Sequence, residues 1–269
     1  MKFKHAASFI LCIIFALFCT GCVTTNVHKF RMTASEAPEV HGANTQQASH
    51  SSLWRFTGKI NYNAEKNVNI TKDVSEAPDL DRLFDVPIKF KDASYKMGGL
   101  DFSGKGDFLY KASNFVVGGG LGYKDGFFSH LTMGANYSHF EFGVFLGGYN
   151  QHIDMQYSGD KGEDCGDSDS DCSNFSHSGT DFAGSFFGGF YTGFYLEKFF
   201  TNLSVSTYSP NPKIEGINLD VPRITTAYLT IGYRLNRWLE FSVGGIATFI
   251  GTSEGNSYPG VTGGVSIYL

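Results

Sequence analysis

Three stretches decide the fold: RITTAYLTIGYRL at Arg223–Leu235, WLEFSVGGIATFI at Trp238–Ile250 and PGVTGGVSIYL at Pro259–Leu269. Each alternates with period two, the signature of a strand with one apolar face. In the first, Thr225, Ala227, Leu229, Ile231, Tyr233 and Leu235 share a face. In the second the set is Leu239, Phe241, Val243, Gly245, Ala247 and Phe249; in the third it is Val261, Gly263, Val265, Ile267 and Leu269. The opposite faces carry Thr226, Thr230, Arg234, Glu240, Ser242, Thr248, Thr262 and Ser266. A sandwich in water alternates in the same way. The length separates the two: about 11 residues is what a tilted strand needs to cross the hydrocarbon layer.

Working towards the N-terminus, the same pattern predicts strands at Lys198–Tyr208, Ala183–Tyr195, Phe140–Gln151, Phe127–Tyr137, Phe115–Tyr123, Gly99–Tyr110 and Ser52–Tyr62. The reading is an all-β, closed antiparallel up-and-down transmembrane barrel of about ten strands over 52–269, with eight as the alternative because the Gly-rich 98–106 region blurs the second strand. The connections at Lys111–Asn114, Ser138-His139, Leu196-Glu197 and Asn236-Arg237 are short. The alternate set, Asn63–Gly98, His152–Phe182, Ser209–Pro222 and Gly251–Tyr258, is longer, apart from the tight turn at Lys124-Asp125-Gly126. That asymmetry is the one a bacterial barrel shows between its periplasmic and outer ends. All seven prolines are expected in the tether, in loops or at strand starts, since within a strand a missing N–H would break the ladder.

Composition agrees. The chain has 269 residues, 33 of them Gly, with 16% aromatics and 17% charged residues. After the leader no apolar run is long enough for a spanning helix. Net charge is −5, and −7 once Lys2 and Lys4 leave with the leader, with no basic patch to suggest nucleic acid.

The chain start, with Lys2, Lys4 and His5, apolar Ala6–Phe18 and then Cys19-Thr20-Gly21-Cys22, resembles a bacterial lipoprotein signal. The resemblance implies a signal peptide over 1–21, lipidation at Cys22 and, with Val23 following, sorting to the outer membrane. Residues 22–51 lack periodicity and read as a flexible periplasmic tether. From Ser52 to Leu269 the chain resembles the small outer-membrane β-barrel proteins of Gram-negative bacteria, on alternating strands such as Tyr228–Leu235 and Leu239–Ala247 and a closing strand that ends the chain at Tyr268-Leu269. That resemblance implies assembly by the barrel-assembly machinery and contact with outer-membrane lipid, and it carries no specific activity. The chain reads as a monomer.

If the apolar faces meet lipid, Arg55, Lys59, Asp101, Lys105, Asp107, Glu141, Arg234 and Glu240 point inward, with Lys111 at the rim. Mixed signs in a narrow lumen form paired networks, since a buried charge needs a partner. Rings near strand ends (Trp54, Tyr62, Tyr110, Phe127, Tyr137, Phe140, Tyr195, Phe199, Tyr208, Trp238) suit a girdle at the lipid–water boundary. Cys165 and Cys172 remain as a pair in an exported protein and read as a disulfide. Between them Asp167, Asp169 and Asp171 alternate as hard-cation ligands do, but the calcium loop is incomplete: no Gly follows Asp171. Ca²⁺ is therefore an open alternative to no cofactor.

His130, Glu141 and the His177-Ser178 pair leave room for a membrane-embedded lipid-modifying hydrolase, acyltransferase or protease, without the spacing of a triad and with no catalytic residue assigned. The Gly118-Gly119-Gly120 run sits in a strand, so it is no phosphate loop. The leading expectation is a non-enzymatic surface barrel with acidic extracellular loops, serving adhesion, protection or envelope stabilisation. A narrow, porin-like pore is the other alternative.

Overall fold

The computed structural model describes residues 23–42, 50–77, 88–163 and 172–269. The elements in chain order are β1 (Val23–Thr33), β2 (His50–Asn69), β3 (Ser75–Glu76), β4 (Lys89–Phe90), β5 (Ala93–Ala112), β6 (Phe115–Lys124), β7 (Gly126–Tyr137) and β8 (Phe140–Glu163). They continue with β9 (Ser173–Tyr195), β10 (Phe199–Tyr208), β11 (Lys213–Ile214), β12 (Ile217–Asp220), β13 (Ile224–Asn236), β14 (Leu239–Ile250) and β15 (Asn256–Tyr268).

Ten strands pair antiparallel in the order β2-β15-β14-β13-β10-β9-β8-β7-β6-β5, and β5 pairs back onto β2. The sheet therefore closes into a barrel. Strand β15 carries the seam: Val265 lies opposite Gly58 and Ile267 opposite Phe56, and Trp54 and Leu269 exchange backbone hydrogen bonds of 3.1 and 2.9 Å. Ten strands, not eight, is the count, and the Gly-rich second strand is β5.

The period-two pattern separates the faces. Leu131, Leu146, Phe186, Ile231, Val243 and Val261 project outward and are more than half exposed. Thr226, Thr230, Thr248, Thr262 and Glu240 project inward and are buried. A protein facing water does not surround itself with a continuous apolar band of this kind; a membrane barrel must. Two expected girdle rings are corrected. Tyr195 and Tyr208 are buried inside, because their parity matches the lumenal positions Tyr191, Ser204 and Ser206.

The strands overrun the expected membrane span at one end. Most of the stretch read as the loop His152–Phe182 is strand: β8 runs to Glu163 and β9 begins at Ser173, paired from His152↔Phe182 to Lys161↔Ser173. Strands β2 and β5 likewise continue together to Asn69↔Ser94, past a bulge at Asn63/Lys66. The β6–β7 hairpin does not follow; it turns at Asp125, held at φ 46°, and Gly126. Above it β5 and β8 are left with free edges on facing sides.

Strand β1 fills that gap. It pairs parallel with β5, from Phe30↔Ala93 to Thr33↔Lys96, and antiparallel with β8, from Val23↔Glu163 to Met32↔Met155. Residues read as a flexible tether are thus ordered over 23–42. The reading misses them because a bulge between Val27 and Lys29 breaks period two: Thr25, Asn26 and Val27 are buried in a row before Phe30 and Met32. Val27, Phe30 and Met32 pack with Val68, Tyr95, Met97, Ile153, Met155, Leu219, Ile224 and Tyr258 into an apolar core inside the extension. The small sheet of β11, β12 and β3 contributes Ile214, Ile217 and Leu219 to it. Burying each such side chain contributes about 1.5–3 kcal/mol. The long-loop end of the barrel is consequently capped.

Candidate functional site: the lumen and its N-terminal plug

After Thr33 the chain leaves the wall and enters the barrel. Every residue from Ala34 to Gly42 is buried. The segment is extended and belongs to no sheet, so its polar backbone needs partners from the wall. They come as side chains. Tyr208 donates from its hydroxyl to Ser35 O at 2.7 Å, and Tyr228 to Ala37 O at 2.8 Å. Ser206 and Ser204 donate to Pro38 O and Val40 O at 2.7 and 2.6 Å. Lys105 Nζ donates to Glu39 O at 3.1 Å, and the Arg55 guanidinium to His41 O and Gly42 O at 2.9 and 2.6 Å. Ala37 N–H donates to Thr226 Oγ1 at 3.0 Å. Small polar residues at alternate lumenal positions of β10 and β13 thus act as a ladder for a strand-like guest.

Charge is matched in the same layer. Among the described residues facing the plug's two carboxylates, the wall supplies four cations, Arg55, Lys59, Lys105 and Lys124, and two acids, Asp101 and Asp107. Arg55 grips Asp107 through Nε at 2.9 Å and Nη2 at 2.5 Å. Lys105 stands 3.7 Å from Asp107 and Lys124 3.2 Å from Asp101. The plug supplies the missing acids. Glu39 takes both bonds from Lys59 Nζ, at 2.8 and 2.6 Å; Glu36 takes Lys124 Nζ at 2.9 Å and Asn63 Nδ2 at 2.5 Å. Four cations meet four carboxylates, all in a space where an unpaired charge is costly.

The fit is also steric. A Cβ added at Gly42 would collide with Glu141 Oε1 and stand 2.8 Å from Tyr191. Gly120 of the Gly118-Gly119-Gly120 run admits Asp107 and His130, whose atoms would lie 2.5 and 2.7 Å from its added Cβ. The space remaining around Glu39, Lys59 and Lys124 is a cavity of 20 Å³, room for about one water molecule, and a recess of 350 Å³ lies beside the plug's outer end, lined by Ser35, Glu36, Asp101 and Gln151.

The other inward residues fall elsewhere. Glu141 is fully buried and accepts Asn136 Nδ2 at 3.2 Å. Arg234 and Glu240 are cross-strand partners near the short-turn end, joined through Arg234 Nε at 2.7 Å, with the Tyr268 hydroxyl donating to the same carboxylate at 2.5 Å. Lys111 is buried near the same end. His130 lies 3.4 Å from Asp107 in the lumen. His177 lies on the β8–β9 extension beyond the barrel proper, 2.8 Å from Asp181 and stacked on Tyr157. Ser178, its chain neighbour, takes the opposite face of the strand. His130 is opposite Gly147, and Glu141 is six residues down that strand, roughly 20 Å away. The geometry brings no two of His130, Glu141 and His177 together.

Among the described residues no cluster of three or more His, Cys, Asp or Glu is placed to hold a metal. The signal peptide 1–21, Cys22, Cys165, Asp167, Asp169 and Asp171 lie outside the described residues. Cys172 is disulfide-bonded.

Sequence reasoning places the wall charges but misses Glu36, Glu39 and Lys124. Lys124 reads as a turn residue, yet it continues the inward parity of Gly120 and Gly122. The two plug acids give one weak signal: two acids among small and apolar residues, in Ser35-Glu36-Ala37-Pro38-Glu39-Val40.

No protein-family model matches the chain, and no curated protein sequence matches it. Among solved structures, one described as "TodX monoaromatic hydrocarbon channel deltaS2 mutant" aligns over 85% of this chain and 92% of that one, with 9% identity and a TM-score of 0.31. A second, "TodX deltaS2S3 mutant monoaromatic hydrocarbon channel", aligns over the same shares with 7% identity and a TM-score of 0.26. Likeness at this level carries no functional argument; the closed barrel rests on the strand pairing described above.

Proposed function

We propose that the chain is a sealed outer-membrane barrel that anchors a rigid protein surface at the cell exterior and conducts nothing in its resting state. The observation that carries this is the lumen: residues 34–42 fill it, their carbonyls are taken up by wall side chains, and their two carboxylates balance the wall's charge. The capped extension at the long-loop end supports the same reading. That end faces outward, because short turns on the periplasmic side are the rule for such barrels. The reading favours a structural or adhesive role over a porin-like pore. It also favours that role over a lumenal hydrolase, since Arg55, Lys59, Lys105 and Lys124 are engaged with the plug and no two of His130, Glu141 and His177 meet.

Planar-bilayer recording tests the seal. The complete mature protein gives no stepwise conductance. A form whose mature chain starts at residue 43 conducts, with anion preference, because four wall cations then face two wall acids. Equal steps from both forms sink the proposal.

A further inference from the structure

The first twenty described residues, 23–42, follow a directed path. Strand β1 is parallel to the first residues of β5, and β5 runs from the long-loop end down to the short turn after Ala112. Val23 is therefore the outermost residue of β1 and Thr33 the innermost. Strand β2 enters the barrel from the other end: His50 is opposite Ala112, and Trp54 is bonded to Leu269. Between them Ala34–Gly42 descends the lumen, meeting Gln151 and Tyr208 first, through Ser35, and Arg55 last, through Gly42. The chain crosses the full barrel before it forms the barrel's first strand.

We infer that the mature N-terminus is threaded through the lumen and displayed at the outer end, so that Val23–Thr33, and any acyl group on Cys22, are presented outside the cell and not in the periplasm. This rests on the orientation proposed above and replaces the periplasmic tether. Ten steps of about 3.3 Å set Val23 roughly 33 Å beyond Thr33. The exported chain starts on the periplasmic side, so the segment must lie in the nascent lumen before β2 meets both β5 and β15. The plug is held by side chains of β2, β5, β8, β10 and β13 together, an arrangement that suits a barrel closing around a guest. Outside, His28 and Lys29 of β1 stand on the exposed face, with His28 Nε2 2.5 Å from Asp160 and Asn26 Nδ2 2.8 Å from it. The displayed strand is clasped to β8.

Cysteine accessibility tests this in intact cells with a membrane-impermeant maleimide, using the wild-type protein as baseline. Lys29→Cys reports β1, Lys161→Cys the β8 extension and Asn114→Cys the short-turn end. The expected result is labelling of the first two in intact cells and of the third only after permeabilisation. Labelling of Lys161→Cys without Lys29→Cys, when the cross-link described next is also absent, overturns the threading and leaves the orientation standing. Labelling of Asn114→Cys alone overturns the orientation. A second measurement covers occlusion of β1: in the pair Lys29→Cys with Ser158→Cys, which are register partners, oxidation yields a cross-linked peptide by mass spectrometry. If Lys29→Cys is silent and this cross-link is absent, β1 is not in place and the inference fails.

Discussion

Replacing Glu39 by Gln tests how the plug is held. The side chain keeps its shape but loses its charge. Lys59 Nζ then loses both charged contacts, at 2.8 and 2.6 Å, while buried beside Lys105 and Lys124. Three acids remain for four cations in that layer. Removing one partner of a buried pair costs about 3–5 kcal/mol, because the other charge stays desolvated. The chain has two ways to respond. It can keep the plug and melt earlier, or release the plug and let water reach Lys59, at the loss of the bonds to residues 35–42. Urea unfolding in micelles, followed by heat-modifiable gel mobility, reads the first response, and bilayer conductance reads the second. The double variant Glu39→Leu with Lys59→Met removes both charges and should recover most of the lost stability, since apolar replacement of a buried pair is often neutral. If Glu39→Gln unfolds within about 0.5 kcal/mol of the wild type, the scatter of a neutral surface change, and stays electrically silent, the charge-matching argument is wrong.

Two further outcomes follow from the same geometry. Leu131→Arg sits in the middle of the exposed apolar band; in a bilayer it should destabilise the barrel by about 2–4 kcal/mol, whereas an exposed site in water would tolerate it, and unfolding in lipid vesicles distinguishes the two. Asp160 is held below the usual carboxylate range, first by the side-chain hydrogen bond from Asn26, which outweighs the desolvation that raises it, and then by the hydrogen bond from His28. A carboxylate with a depressed folded pKa stabilises above its unfolded value, about 3.9, and loses that contribution as pH falls through the folded value. Protease sensitivity of β1 in intact cells should therefore rise below about pH 4, and Asp160→Asn should flatten that dependence.

The legible and illegible parts of the molecule divide along a physical line. Leu229, Ile231, Val243 and Val265 are legible because lipid imposes one requirement on every outward position, and period two repeats that requirement along each strand. The inward wall charges, Arg55, Asp107 and Arg234 among them, follow from parity alone. The overrun of β8 and β9 is not legible in the same way. Beyond the membrane the outward face meets water, Ser, Asn, His and Thr replace the aromatics, and the alternation fades although the ladder continues to Lys161↔Ser173.

By itself, then, the sequence determines a membrane barrel of about ten strands, with eight left open, its strand parity and the asymmetry of its two ends, because each of these is a local pattern written by the solvent each face meets. Only the tertiary structure decides that the barrel is filled and by what. Ala34–Gly42 has no period, since its partners are not neighbours in a sheet but side chains such as Arg55, Lys105, Lys124, Gln151, Ser204 and Tyr228, each from a different strand. The charge balance of the lumen and the path of Ala34–Gly42 through it both depend on contacts spanning up to 191 residues, and no local window of sequence records them.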